Sequence, residues 1–314
     1  MPMKHRILQI ASITPAVDAR LARDYDVAPL WKQPDAAAFL AEHGAGFEGI
    51  AIHVRDACGA DILAALPKAR VIANFGVGYD RIDIDTAKRQ GMQISNTPEV
   101  LDGCVADLAM GLAIDAARGI SVATRFVRAG GWKTGQRPLM TRVHGKNMGL
   151  LGFGGIGQAI GRRAAGFDMD VRYHTRRPVA GSPHRHEPSL VELARWADFL
   201  VVACPGGAAT RHLVNAEVME ALGPSGILVN IARGSVVDEA ALVQALQAGR
   251  LGGAGLDVFE NEPDVPQALL EMDNVVAVSH IAGFTRESRA DMEARVCDNL
   301  DAYFRTGQVL NPVP

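Results

Sequence analysis

Residues 147–165 read Asn147-Met148-Gly149-Leu150-Leu151-Gly152-Phe153-Gly154-Gly155-Ile156-Gly157-Gln158-Ala159-Ile160-Gly161-Arg162-Arg163-Ala164-Ala165. An apolar run ending at Leu150-Leu151 enters the pattern GxGxxG at Gly152, Gly154 and Gly157, and helical spacing begins at Gln158. In a chain of 33 glycines the six residues alone carry little. Between a strand and a helix they have a physical purpose, because bare backbone admits a pyrophosphate and the helix N–H groups point at it. This is a dinucleotide-binding turn, with Gly152, Gly154, Gly155, Ile156 and Gly157 expected at the cofactor. The plainer alternative is a glycine-rich turn that binds nothing.

The next expected strand, 170–173, runs into His174-Thr175-Arg176-Arg177. A site selective for NAD places a carboxylate there to hold the ribose 2′-hydroxyl. A hydroxyl and two guanidinium groups stand there instead, which suits the doubly charged 2′-phosphate of NADP through charge-assisted bonds. NADP(H) is therefore expected over NAD(H), held chiefly by Thr175 and Arg176 with Arg177 beside them; a solvated basic loop is the alternative.

Outward from this centre the pattern repeats. In the first third, apolar runs at 7–10, 49–54 and 69–75 alternate with helix-like stretches at 36–43 and 61–66. Such βα repetition builds a parallel sheet. Thr97-Pro98-Glu99 offers a hydroxyl cap, a proline and an early carboxylate, predicting a long helix from Val100 toward Arg118. Further strands are expected at 198–204, 227–231, 254–259 and 275–279, and Ser189 with Glu192 has capping-box spacing. Helical spacing closes the chain at Met292, Val296, Leu300, Tyr303 and Phe304. The fold class is α/β, with two doubly wound parallel-sheet domains.

Length and charge agree. A chain of 314 residues favours two domains and permits a sizeable core. With 32 basic and 35 acidic residues, no bulk field draws it to nucleic acid or an anionic membrane, so a small molecule is the expected partner. Cys58, Cys104, Cys204 and Cys297 form no CxxC pair, which points to a reducing compartment. The apolar stretch 7–11 is too short for a secretory segment, and no run reaches membrane-spanning length, so a cytoplasmic protein is expected.

Reduction of a 2-oxo acid needs a cation for the carboxylate, an acid for the forming alkoxide and a cofactor face against the carbonyl carbon. Arg233 follows the strand at 227–231, Glu262 sits in Phe259-Glu260-Asn261-Glu262-Pro263, and His280 follows the strand at 275–279. All three fall at the carboxyl ends of expected parallel strands, where doubly wound sheets place their sites. Singly they could be a surface charge, a loop acid and a strand-end histidine; their combination is the argument. No GxSxG, HExxH or Walker A pattern supports a hydrolase. His184-Arg185-His186-Glu187 lies in a loop with Pro and Gly and is expected to be solvated, with no metal.

Over nearly its whole length the chain resembles the D-isomer-specific 2-hydroxyacid dehydrogenase family. The resemblance rests on Asn74-Phe75-Gly76-Val77-Gly78-Tyr79-Asp80, Asn96-Thr97-Pro98-Glu99-Val100-Leu101, the glycine fingerprint, Val229-Asn230-Ile231-Ala232-Arg233-Gly234, Gly255-Leu256-Asp257-Val258-Phe259 and His280. Within the family it is most similar to NADPH-dependent hydroxypyruvate, glyoxylate and hydroxyphenylpyruvate reductases, through Glu192-Leu193-Ala194, Ala203-Cys204-Pro205 and Gly252-Gly253-Ala254. The resemblance implies a flavodoxin-like substrate domain from 1–97 plus 285–314 and a Rossmann cofactor domain from 98–284. It implies that Arg233 binds the substrate carboxylate with the N–H groups of Val77 and Gly78, that His280 is the acid, and that Glu262 orients its ring. Cofactor contacts are implied at Cys204, Pro205, Thr210, Ile231, Ala232 and Asp257, and a homodimer is implied through the region of Trp132.

Two segments depart from the family. His280-Ile281-Ala282-Gly283-Phe284 lacks a side-chain contact at 283, and Cys204-Pro205-Gly206-Gly207 lacks the usual leucine and threonine. Arg55, Phe75 and Phe284 are candidates for shaping the substrate pocket. A nucleotide-sensing interaction module on the same fold is the alternative function, although no partner motif appears.

Overall fold

In the computed structural model, which describes residues 4–313, two all-parallel sheets organise the chain. The first contains β1 (Arg6–Gln9), β2 (Asp26–Pro29), β3 (Gly49–His53), β4 (Val71–Phe75) and β5 (Gln93–Ser95), in the order β2-β1-β3-β4-β5. The second contains β6 (Asn147–Leu151), β7 (Asp170–His174), β8 (Arg185–His186), β9 (Phe199–Val202), β10 (Ile227–Asn230), β11 (Gly253–Leu256) and β12 (Val275–Ala277), in the order β12-β11-β10-β9-β6-β7-β8. The second sheet starts at β6, runs outward to β8 and returns to β9 on the other side of β6. That reversal opens a crevice at the carboxyl ends of β6 and β9, where such sheets take ligands.

The central strands are largely apolar because helices cover both faces of a parallel sheet. Every residue of β9 and β10 is buried, and Leu200, Val202, Leu228, Leu242 and Leu256 meet in one core. The helix Asp102–Arg118 packs on β10, on β11 and on the helix Gly155–Ala165. In the first sheet, Leu8, Ile50, Ile52 and Ile72 build a separate core.

By its contacts the chain divides into one compact unit of Met1–Leu101 with Thr285–Pro314 and another of Asp102–Phe284. The outermost residues of the expected substrate domain, 1–3 and 314, lie outside the described residues. The helix Arg286–Thr306 returns the chain to the first unit, capped by the Thr285 hydroxyl accepting from Ser288 N. It packs on β4 and on the helix Pro15–Asp24, and Arg20 Nη2 reaches Asp298 at 2.8 Å and Asp301 at 2.6 Å. No helix among the described residues is long and apolar enough to cross a membrane.

The helix expected from Val100 starts later, at Asp102. Glu99 takes a left-handed φ of 71°, Val100 N bonds back to Pro98 O at 2.8 Å, and Thr97 N bonds Gly76 O at 3.0 Å. The segment is thus a tight turn tied to the first unit, and the first crossing falls after Leu101 rather than after 97. The Thr97 hydroxyl caps nothing; it is buried without a hydrogen-bond partner. Ser189 Oγ accepts from Glu192 N at 3.3 Å, as a capping box requires, while the Glu192 carboxylate pairs forward with Arg195.

Truncation should separate core from surface. Leu200 is fully buried and Leu270 is 54% exposed. Leu200→Ala is expected to cost about 2–5 kcal/mol and Leu270→Ala to stay within about 0.5 kcal/mol, read from denaturant midpoints. Equal midpoints for the two variants would contradict this packing.

Candidate active site

The glycine turn is shaped by contacts that no side chain would survive. Gly152 sits at φ 99°, and a Cβ there would lie 2.6 Å from Cys204 N and 2.7 Å from the Ala203 carbonyl. The strand end of β6 is therefore pressed against the loop leaving β9. A Cβ on Gly157 would lie 2.4 Å from Gly152 O, so the helix starts directly on the turn. At Gly154, the N-cap of the helix Gly155–Ala165, a Cβ would meet nothing within 4 Å. The turn is thus closely packed at Gly152 and Gly157 and open at Gly154. Ile156 begins that helix beside Gly155.

After β7, Thr175 Oγ1 donates to Arg177 O at 2.7 Å, closing a turn on which Arg176 and Arg177 are exposed. Among the described residues this turn contains no carboxylate. After β9, Thr210 Oγ1 donates to Pro205 O at 2.8 Å, so this hydroxyl closes its own loop. Burial pushes the Cys204 thiol up to about 11, which makes it a packing group at neutral pH.

The three candidate catalytic residues are set by strand-end devices. Asn230, only 1% exposed, donates Nδ2 to Arg233 O at 3.0 Å and accepts Ala232 N at Oδ1 at 3.1 Å, folding 230–233 into a fixed turn. Ile231 and Ala232 are buried within it, and Arg233 Nη1 donates to Ala232 O at 2.8 Å. A Cβ on Gly234 would lie 2.0 Å from Phe259 O and 2.3 Å from Glu260 N. Only glycine lets the Arg233 turn lie on the backbone leading to Glu262. There the Glu262 carboxylate accepts Phe259 N at 3.2 Å through Oε1 and meets His280 Nδ1 at 2.8 Å through Oε2.

His280 has a left-handed φ of 56°, a conformation that costs a non-glycine residue roughly 1–2 kcal/mol. Asp257 holds it there. Its carbonyl accepts His280 N at 2.8 Å, and its carboxylate accepts Ile281 N at 2.6 Å and Ala282 N at 3.1 Å. Burial pushes the Asp257 carboxyl above the usual range, opposed by these two backbone donors. Asn230 and this second task of Asp257 were missed by sequence reasoning. The available signal was a polar residue ending an apolar strand, which must find internal partners when buried.

In the first unit, Asn74 Nδ2 donates to Gly76 O at 3.2 Å and Gly78 O at 2.7 Å, and Asn96 Nδ2 donates to Val77 O at 2.8 Å. The carbonyls of the Val77–Gly78 loop are thus turned toward two amides. Phe75 does not shape a pocket: it is 1% exposed, stacked on His53 and covered by the Arg289 guanidinium. Arg55 is exposed on the turn after β3. Phe284 is exposed, and Trp132, at 68% exposure, is not packed inside its own chain. His186 is not simply solvated, since its Nε2 bonds Thr175 O at 2.9 Å, and His184 lies edge-on to Phe153.

Asp257→Asn tests the anchoring. An amide opposes one of the two N–H groups with another donor, a mismatch costing about 1–3 kcal/mol. The expected outcome is about tenfold or greater loss of hydrogen-exchange protection at Ile281 and Ala282, with distant amides unchanged. Unaltered protection at these two amides would refute the assignment.

Comparison with known proteins agrees with this geometry. Residues 110–282 match the family described as D-isomer specific 2-hydroxyacid dehydrogenase, NAD binding domain. A hydroxyphenylpyruvate reductase of Plectranthus scutellarioides is 40% identical over 307 residues, covering 98% of both chains. A 2-ketogluconate reductase of Gluconobacter oxydans is 39% identical over 313 residues, covering 100% of both. Among solved structures, an NADPH-dependent glyoxylate/hydroxypyruvate reductase of Sinorhizobium meliloti, in complex with NADP and malonate, superposes with a TM-score of 0.93 at 43% identity, over 99% of this chain and 97% of that one. With its two parallel sheets, its glycine turn and its family match, the chain belongs to the D-isomer specific 2-hydroxyacid dehydrogenases and carries their NAD-binding domain.

Proposed function

We propose that the protein is a cytoplasmic NADPH-dependent reductase of a small 2-oxo acid, hydroxypyruvate, glyoxylate or a related acid, which it converts to the D-2-hydroxy acid. The observation that carries this reading is the His280–Glu262 contact of 2.8 Å at the carboxyl ends of the cofactor-domain strands. Relatives named for reduction of such acids support it.

The residues fit a dinucleotide. Bare backbone at Gly152, Gly154 and Gly157, with the open space over Gly154, suits a pyrophosphate at the start of the helix Gly155–Ala165. Thr175, Arg176 and Arg177 suit a 2′-phosphate, and the NADPH-dependent relative supports that preference. The segments at 204–205, 210 and 231–232, with Asp257, would line the remaining length. When bound, the reduced nicotinamide supplies the hydride.

The protein's own residues do the rest. Arg233 holds the substrate carboxylate and polarises the oxo group. To the first unit the same reading assigns carboxylate binding by the Val77 and Gly78 N–H groups. Glu262 keeps a proton on His280 Nδ1, so Nε2 gives its proton to the forming alkoxide oxygen. The ring is left neutral, still bonded to Glu262, and regains its proton from solvent.

Purified protein offered glyoxylate, hydroxypyruvate, 4-hydroxyphenylpyruvate and 2-ketogluconate, with NADPH or NADH, should oxidise NADPH faster with at least one acid. His280→Ala should bind NADPH with wild-type affinity and lose about 10²- to 10⁴-fold in kcat. Faster turnover with NADH would overturn the cofactor assignment, and NADPH binding without turnover of any acid would favour the sensing module.

The reading includes a homodimer. The helix Ile120–Arg128 and the segment after it expose Ile120, Val127, Trp132, Leu139 and Met140, an apolar surface of the kind that self-association covers. Val127→Asp is expected to halve the mass seen by light scattering; a wild-type monomer would contradict the dimer.

A further inference from the structure

The loops that leave the carboxyl ends of β9, β10 and β11 are bonded to one another in a closed circuit. The loop after β9 runs along the loop after β10, with His212 N donating to Ser235 O at 2.8 Å and Val214 N to Val236 O at 3.0 Å. The loop after β10 lies on the loop after β11, where a Cβ on Gly234 would fall 2.3 Å from Glu260 N. The loop after β11 returns to the first through Glu260, whose Oε1 accepts Arg211 Nη2 and His212 Nε2, each at 2.9 Å. Each loop carries candidate site residues: Cys204, Pro205 and Thr210 in the first, Arg233 in the second and Glu262 in the third.

Glu260 is held at its backbone and at its side chain. Its N–H goes to Glu239 Oε2 at 3.1 Å, on the first residue of the helix Glu239–Gln247, which the Asp238 carboxylate caps by accepting Ala241 N. Burial pushes the Glu239 carboxyl above the usual carboxylate range, and the bond from Glu260 N opposes that rise. On the side chain, a carboxylate that takes an arginine N–H makes a charge-assisted bond, roughly twice as strong as a neutral one. His212 stands at a left-handed φ of 51°, a strained conformation that persists where surrounding bonds over-determine it; here its N–H and its ring are both tied. From Glu260 the chain reaches Glu262 inside one tight turn, closed by Asp264 N on Asn261 O at 2.7 Å. Across that turn the Glu262 carboxylate accepts Phe259 N at 3.2 Å, so a backbone shift at residue 260 moves the carboxylate that meets His280 at 2.8 Å.

We propose that Glu260 is a positioning residue for Glu262: by binding Arg211 and His212 it holds the loop after β11 so that the Glu262 carboxylate stays against His280. Its effect on turnover rests on the reading of His280 as the acid. The two loops that Glu260 joins depend on it unequally. Without its side chain the loop after β9 keeps the backbone bonds to Ser235 and Val236 and the Thr210–Pro205 bond, whereas the loop after β11 loses its side-chain tie to Arg211 and His212. Loss of Glu260 therefore falls on proton transfer rather than on dinucleotide binding.

The test compares Glu260→Ala with Glu260→Gln, because glutamine keeps an oxygen that accepts both donors and alanine removes it. At saturating NADPH, Glu260→Ala should lower kcat for the preferred 2-oxo acid about 10- to 100-fold. Its dissociation constant for NADPH should change by no more than about twofold, and Glu260→Gln should recover most of the lost turnover. Hydrogen exchange, without cofactor or substrate, gives a reading independent of turnover. The Phe259 N–H, bonded to Glu262, should lose about tenfold or more of its protection in Glu260→Ala and regain it in Glu260→Gln, with Val214 N–H unchanged in both. Unchanged Phe259 protection in Glu260→Ala overturns the inference, and so does a loss confined to NADPH affinity. Should Glu260→Ala fail to fold, Arg211→Ala, at an exposed residue, removes one of the two donors and should show part of both losses; neither loss overturns the inference. Wild-type protein that oxidises NADPH with no acid overturns the reduction reading alone, and Phe259 exchange then decides whether Glu260 holds Glu262.

Discussion

The carboxylate of Asp257, shut away from solvent just after β11, is the anchor of the segment that carries the candidate residue His280. Burying an ionised carboxylate is costly unless hydrogen bonds replace the lost water. Here the replacements are the N–H groups of Ile281 and Ala282. A third bond, from His280 N to the carbonyl of the same aspartate, makes the left-handed backbone of His280 over-determined. The ring that emerges meets Glu262 at hydrogen-bonding distance. One buried charge thus fixes the backbone, and the backbone fixes the ring.

Each unit uses a buried asparagine to present a loop. Asn74 is the last residue but one of β4 and donates to the carbonyls of Gly76 and Gly78; Asn230 ends β10 and binds both a donor and an acceptor of 230–233. In both, an amide side chain at or next to the strand's end hydrogen-bonds the following turn, competing with continuation of the ladder. An amide has a donor and an acceptor, so it can hold a turn from either side. An aliphatic residue would fill the same volume and leave the turn unheld.

Much of the fold was legible because central parallel strands are continuous apolar runs. The runs at 49–54, 147–152 and 227–231 became β3, β6 and β10 with ends shifted by a residue or so. The edge strands β2, β5 and β8 were not legible. They are short, and β2 is partly exposed and ends in Pro29, as suits an edge that needs no further N–H. The helix start near Val100 was misread because the left-handed Glu99 obeys the tertiary bond from Thr97 to Gly76, which local spacing does not contain. The glycine turn, Arg233, Glu262 and His280 were legible as residue types at strand ends. The packing of Gly234 on the Phe259 carbonyl, which brings the Arg233 turn to the Glu262 loop, depends on two distant strands lying side by side.

Why residue 262 is a carboxylate follows from what faces it. Both of its oxygens receive N–H groups, one from Phe259 and one from His280 Nδ1. A glutamine can accept through only one oxygen, so its NH₂ would face either the backbone N–H or the ring N–H. If it faced the ring, Nδ1 would have to become an acceptor and the neutral ring's proton would move to Nε2. Such a ring could not carry protons on both nitrogens without losing its partner. Glutamate offers no N–H, so Nδ1 stays the donor and the ring keeps its partner. Asp257 obeys the same rule one step back, two oxygens against two backbone donors, so the orientation of the His280 ring and the backbone that carries it both depend on side chains that only accept.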